Sequence, residues 1–173
     1  LIFVSKDNPG VVVDSKGRTL FFTMDKVSES QISYSSYQEK NPFDPLPSYE
    51  NYPVIFVSWY GALAFCDYYS LRLPSEAEWE RAAAISGGGQ TPLKKWTFGF
   101  QKDTIDRRYA NYKFQPNAPY TKKVLTTPVG FYNGLTLLPL IAQDQFSTMT
   151  ENAVSPVGAY DMSGNVFEWV QDW

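Results

Sequence analysis

Histidine is missing from this chain of 173 residues, and cysteine occurs once. Without an imidazole these residues hold no Ser-His-Asp triad, no Cys-His dyad and no histidine metal ligand. One cysteine makes neither an internal disulfide nor a multi-thiolate zinc site. Positive charge is also scarce. Fifteen Lys+Arg stand against 18 Asp+Glu, a net charge of −3, and no basic run marks a nucleic-acid surface. No apolar stretch approaches the roughly 20 residues of a membrane-spanning helix.

What is present is apolar and aromatic. Hydrophobic residues make up 43% and charged residues 19%, a globular balance rather than a disordered one. The length suits one domain. Five Trp, 12 Tyr and 12 Phe, with 12 Pro and 11 Gly, suggest a loop-rich fold rather than a helical bundle.

Residues 1–37 read as short strands and turns. Val11–Val13 followed by Asp14-Ser15-Lys16-Gly17 is strand then turn, and Thr19–Met24 resumes a strand, giving a hairpin. Residues 38–53, with four prolines, read as an irregular connection. Val54–Val57 reads as an apolar strand, and Ser58 caps a helix over Trp59–Tyr69. Ser75-Glu76-Ala77-Glu78 is a capping box opening a second helix, which Gly87-Gly88-Gly89 ends. The alternation Trp96, Phe98, Phe100 suits a strand. The stretch 132–153 reads as an inserted loop whose leucines, Leu135 to Leu140, and Ile141 must bury against something. The coarse class is α+β, two helices with short irregular strands and many loops.

Three segments taken together are specific: Tyr52-Pro53-Val54-Ile55-Phe56-Val57-Ser58-Trp59 leading into Ala64-Phe65-Cys66; Arg72-Leu73-Pro74-Ser75-Glu76-Ala77-Glu78-Trp79-Glu80-Arg81-Ala82-Ala83; and Gly158-Ala159-Tyr160-Asp161-Met162-Ser163-Gly164-Asn165-Val166-Phe167-Glu168-Trp169. Their order resembles the formylglycine-generating enzyme, or sulfatase-modifying factor, family. The resemblance covers roughly residues 52–173. It implies a C-type-lectin-like α+β fold that often holds calcium, in proteins mostly exported from the cytoplasm, bacterial members included. In the enzymes of the family, a copper- and O2-dependent reaction that uses a cysteine pair converts a sulfatase cysteine to Cα-formylglycine. The family's catalytic cysteines follow the GNVWEW motif and are absent here, and the start of the family domain is not recognisable in residues 1–51. Residues 1–173 therefore read as a single domain, either incomplete at both ends or divergent.

By that resemblance, the side chains of Asp161 and Glu168 and the carbonyls of Gly164 and Val166 bind one calcium ion. Asn111 and the Tyr112 carbonyl match half of a second site, whose other half, near Thr121–Val124, has two Lys where the family has Asp. Calcium wants six to eight oxygens, and Gly164 permits the tight turn that would aim carbonyls inward. The plainer alternative is that Asp161 caps a turn, Glu168 is a solvated strand residue and Asn111 bonds backbone in a turn. Cys66, mid-helix among apolar neighbours, reads as a buried, inert thiol. Glu78 reads as a cap, and Arg72 as the partner of a nearby carboxylate. Trp59, Trp79 and Trp169 read as core rather than a sugar-stacking platform.

The expected function is a calcium-stabilised, non-catalytic module, extracytoplasmic, binding a protein or peptide partner. The alternative is a fragment of a true formylglycine-generating oxidase, which converts a sulfatase cysteine to Cα-formylglycine, with its catalytic cysteines downstream of Trp173.

Overall fold

The Asp14-Ser15-Lys16-Gly17 turn closes on its own aspartate. Asp14 Oδ1 accepts the Lys16 N–H at 2.8 Å and the Arg18 N–H at 2.9 Å, while Gly17 takes the left-handed φ of +77°. Arg18 adds an ion pair to Asp14 at 2.6 Å. The computed structural model describes residues 2–5, 7–8, 10–23, 32–34, 43–45, 50–86, 93–112, 126–138 and 147–172. It divides into two compact units, Leu1–Leu73 and Pro74–Trp173.

In the first unit the expected hairpin forms. Strands β1 (Ile2–Val4), β2 (Val11–Asp14) and β3 (Thr19–Phe22) make an antiparallel sheet in that order, with a register shift between Val12 and Val13. A second pair joins β4 (Ile32–Tyr34) to β5 (Phe43–Pro45), so the proline-rich connection contains a strand after all. Pro45 is tolerated because it ends a strand that is an edge on its free side. Helix α1 (Trp59–Tyr68) starts at Ser58, whose hydroxyl oxygen accepts the Gly61 N–H at 3.1 Å and whose O–H donates to the Thr19 carbonyl. Gly61 lies against β3 so closely that a Cβ would sit 2.2 Å from the Leu20 carbonyl oxygen. Only glycine lets α1 pack at this distance. Val12, Leu20 and Cys66 are buried, as is Thr23.

Val54–Val57 is not a strand. Phe56 takes φ of +59°, which breaks the extended run, and only Val57 bridges, to Phe21.

In the second unit, helix α2 (Glu76–Ala84) carries the full capping box: Ser75 Oγ accepts from Glu78 N and Glu78 Oε2 accepts from Ser75 N. The helix stops at Ala84, ahead of the three glycines. Ile85 turns extended and bridges Lys95, and residues 87–92 lie outside the described residues. The alternating aromatics do not form a strand either. The Phe98 N–H donates to the Lys102 carbonyl and the Gln101 N–H to the Phe98 carbonyl, so the chain reverses there. Gly99 allows it, since a Cβ would meet Met162 Cβ at 2.6 Å.

The core of this unit is Phe100, Ala110, Tyr132, Leu138 and Ala153. The Phe98, Phe100 and Tyr109 rings stack in a row, with centroids 5.6 and 5.0 Å apart. The 132–153 stretch contributes Tyr132, Leu138 and Ala153 to that core, whereas Leu135 and Leu137 are exposed, contrary to expectation. Leu140 and Ile141 lie outside the described residues. Two isolated bridges, Asn133 with Asn152 and Leu137 with Met149, hold the two arms of this stretch together. Two helices and a small antiparallel sheet make an α+β protein. Among the described residues no helix is long and apolar enough to cross a membrane.

Candidate functional site

The 161–168 loop bends through three left-handed residues, Asp161 (φ +60°), Gly164 (+86°) and Asn165 (+64°). Asp and Asn are among the few side chains that tolerate this region. At Gly164 the fit is closer still, because a Cβ would lie 2.5 Å from the Asn111 carbonyl oxygen. That carbonyl accepts the Asn165 N–H at 2.7 Å, and the Gly164 carbonyl accepts the Val166 N–H at 2.9 Å. The structure thus brings Asn111 against Gly164, two residues assigned from the sequence to different sites.

Asp161 is half-buried. Its Oδ2 accepts the Gly130 N–H at 2.7 Å. Burial pushes its pKa above the usual carboxylate range, and the Gly130 N–H opposes this. Glu168 is exposed, and its Oε2 accepts the Trp79 indole N–H at 2.6 Å. The segment that follows is tied to the start of α2. The Gln171 N–H donates to the Pro74 carbonyl at 2.8 Å, and Asp172 Oδ2 accepts the Glu76 N–H at 2.5 Å. Asp172 therefore satisfies an amide of the first helical turn and sits where the helix dipole favours negative charge.

These residues fit a hard cation in their donor chemistry. Asp161 is a half-buried carboxylate that accepts the Gly130 N–H, and a cation would offset the cost of its burial. Each carboxylate can accept more than the one hydrogen bond described. No group of three or more His, Cys, Asp or Glu that could hold a metal occurs among the described residues. A cation here would take its other oxygens from carbonyls, as calcium does.

Of the second expected site, Tyr112 is exposed and Thr121–Val124 lies outside the described residues. Cys66 is a buried, free cysteine on α1, in the first unit. Glu78 has its capping role. An Arg72 guanidinium N–H donates to the Leu73 carbonyl at 3.1 Å. Trp169 does not belong to a core: it is half-exposed, and its neighbour Phe167 is wholly exposed. The sequence reading missed Gly130, Asn165 and the pairing of Trp79 with Glu168. Of these, only Asn165 carried a local signal, as an asparagine directly after glycine in a turn.

The sulfatase-modifying factor enzyme 1-like domain family matches residues 11–173, and the chain belongs to that family. It is 37% identical over 127 residues to the serine/threonine-protein kinase Pkn1 of Chlamydia trachomatis, covering 73% of this chain and 15% of that protein. It is 34% identical over 125 residues to the formylglycine-generating enzyme of Mus musculus, covering 71% and 28%. It is 33% identical over 122 residues to the inactive C-alpha-formylglycine-generating enzyme 2 of Bos taurus, covering 68% and 32%. The chain thus spans 15–32% of the length of these relatives. No solved structure matches it.

Proposed function

We propose that this chain is a calcium-stabilised sulfatase-modifying-factor-like domain, C-type-lectin-like in fold, acting as a non-catalytic binding or structural module. The observation that carries the reading is the burial of Cys66 on α1, which withholds that thiol from the accessible setting that a reactive cysteine needs. A relative named as inactive supports the class by analogy. The module would present a surface to a protein or peptide partner outside the cytoplasm.

The side chains of Asp161 and Glu168 and the carbonyls of Gly164 and Val166 would hold the calcium ion, with Asn111 and Tyr112 contributing to a second. The ion would supply positive charge to the desolvated Asp161 carboxylate and so hold the loop. A second reading, favoured by the relative named formylglycine-generating enzyme, is that these residues belong to an oxidase whose copper-binding cysteines lie elsewhere in its chain.

The chain should leave a cysteine-containing sulfatase peptide unchanged when incubated with copper and O2, and mass spectrometry detecting formylglycine would overturn the non-catalytic reading. Chelation should lower the melting temperature. Glu168→Gln should remove that sensitivity while keeping an acceptor for the Trp79 indole. Identical wild-type melting curves with and without chelator would overturn calcium.

A further inference from the structure

The Asn165 side chain grips the backbone of a single distant residue at both ends. Its Oδ1 accepts the Thr127 N–H at 2.9 Å and its Nδ2 donates to the Thr127 carbonyl at 3.1 Å. This is the double hydrogen bond of an antiparallel strand pair, made by a carboxamide. Thr127 is only 5% exposed, so water does not readily replace the amide there. Among the described residues its hydroxyl has no hydrogen-bond partner, so that group does not compete for the amide.

The grip reaches two other segments. Through its own N–H, Asn165 holds the Asn111 carbonyl at 2.7 Å. Three residues beyond Thr127, the Gly130 N–H holds Asp161 at 2.7 Å. Residues 110–112, 126–130 and 161–168 therefore meet at Asn165. A slip of Thr127 would carry Gly130 with it and release the Asp161 carboxylate from its direction. Neither Asn165 nor Thr127 was among the expected ligands.

We infer that Asn165 is the positioning residue of the candidate cation site: without touching the ion, its carboxamide fixes the 126–130 turn and thereby aims Asp161. This rests on the calcium reading above. Outer-sphere partners of metal ligands commonly govern affinity by about 10–100-fold.

The test is calcium titration calorimetry on the whole chain, well below its melting temperature, for wild type, Asn165→Gly and Asn165→Asp. Glycine keeps the left-handed backbone and deletes the amide. Its calcium affinity should fall about 10–100-fold. Aspartate keeps one acceptor for the Thr127 N–H but sets an oxygen against the Thr127 carbonyl, so it should also bind more weakly. If Asn165 were instead a ligand, the added carboxylate would tighten binding, and that result overturns the positioning role. So does an unchanged affinity in Asn165→Gly with only a lower melting temperature in chelator, the mark of a merely structural amide. If Asn165→Gly fails to fold, the aspartate variant decides alone, and unchanged affinity there overturns the inference. A wild type that takes up no calcium overturns the calcium reading and the inference together. A wild type that binds with variants that bind equally well overturns the inference alone.

Discussion

Replacing Gly164 by alanine tests the closeness of the loop to residue 111, and Gly158 supplies the control. Both glycines are left-handed, at φ +86° and +87°. Around Gly158 a new Cβ meets nothing within 4 Å, while at Gly164 it meets the Asn111 carbonyl oxygen at 2.5 Å and its carbon at 3.0 Å. Gly158→Ala should therefore cost only the backbone conformation, about 1–2 kcal/mol. Gly164→Ala adds overpacking against a backbone that cannot rotate aside, typically about 1–3 kcal/mol. The total is about 2–5 kcal/mol. For a chain of this length each kcal/mol moves the melting temperature by roughly 2–4 °C. The control should lose roughly 2–8 °C and Gly164→Ala roughly 4–20 °C. Urea unfolding followed by tryptophan fluorescence reads the same difference as a shift in midpoint at constant slope. Four of the five tryptophans lie in this unit. Equal destabilisation of the two variants would refute the close approach.

Two further outcomes follow from burial and charge. Cys66 should resist thiol reagents in the native chain and react once urea unfolds it; fast labelling of the folded protein would contradict its burial on α1. The Arg108 guanidinium, hydrogen-bonded to Asp106, holds that carboxylate below its ordinary pKa. The pair's contribution is present above the unfolded carboxylate's pKa and lost as pH falls through the lower folded value. Both side chains are partly exposed, so Arg108→Gln should cost no more than about 1 kcal/mol at neutral pH and converge with wild type in acid. A difference that persists at low pH would show that the charge is not its source.

The capped elements were legible in the sequence because their signals are local. Ser58 and Ser75 each announce a helix within four residues, and the Asp14–Gly17 turn announces its hairpin. Failures came where a distant residue decides. Nothing near Val54 predicts that Phe56 will turn left-handed, since its carbonyl is taken by Phe22 of β3. The alternation of Phe98 and Phe100 imitates a strand, but Gly99 between them is pressed on Met162, far along the chain. Leu138 is buried while Leu135 and Leu137 are exposed, because the bridges of this stretch fix which side faces the Phe100 core. At the candidate site the residue types were readable, but Gly130 and Trp79, which hold the two carboxylates, were not. Both are long-range partners with no fixed spacing from them.

The same limit explains the aromatic residues after Gly164. Read as apolar content, Phe167 and Trp169 belong inside. Their exposure shows otherwise: Val166 and Val170 are partly covered, while Phe167 is wholly exposed and Trp169 half-exposed. Two polar anchors account for this. Glu168 bonds the Trp79 indole and Asp172 bonds the first-turn amide of α2, both polar contacts made by the segment's even-numbered residues. With those made, Phe167 is left facing solvent and Trp169 half-exposed, and a rearrangement that buried them would have to give up these contacts. Val166 and Val170, both partly covered, keep some apolar burial beside the anchoring residues. Glu168 thus holds the Trp79 indole whether or not it also holds a cation. Glutamine there keeps the indole's acceptor and removes only the charge, so the indole contact and the proposed calcium dependence separate in one variant.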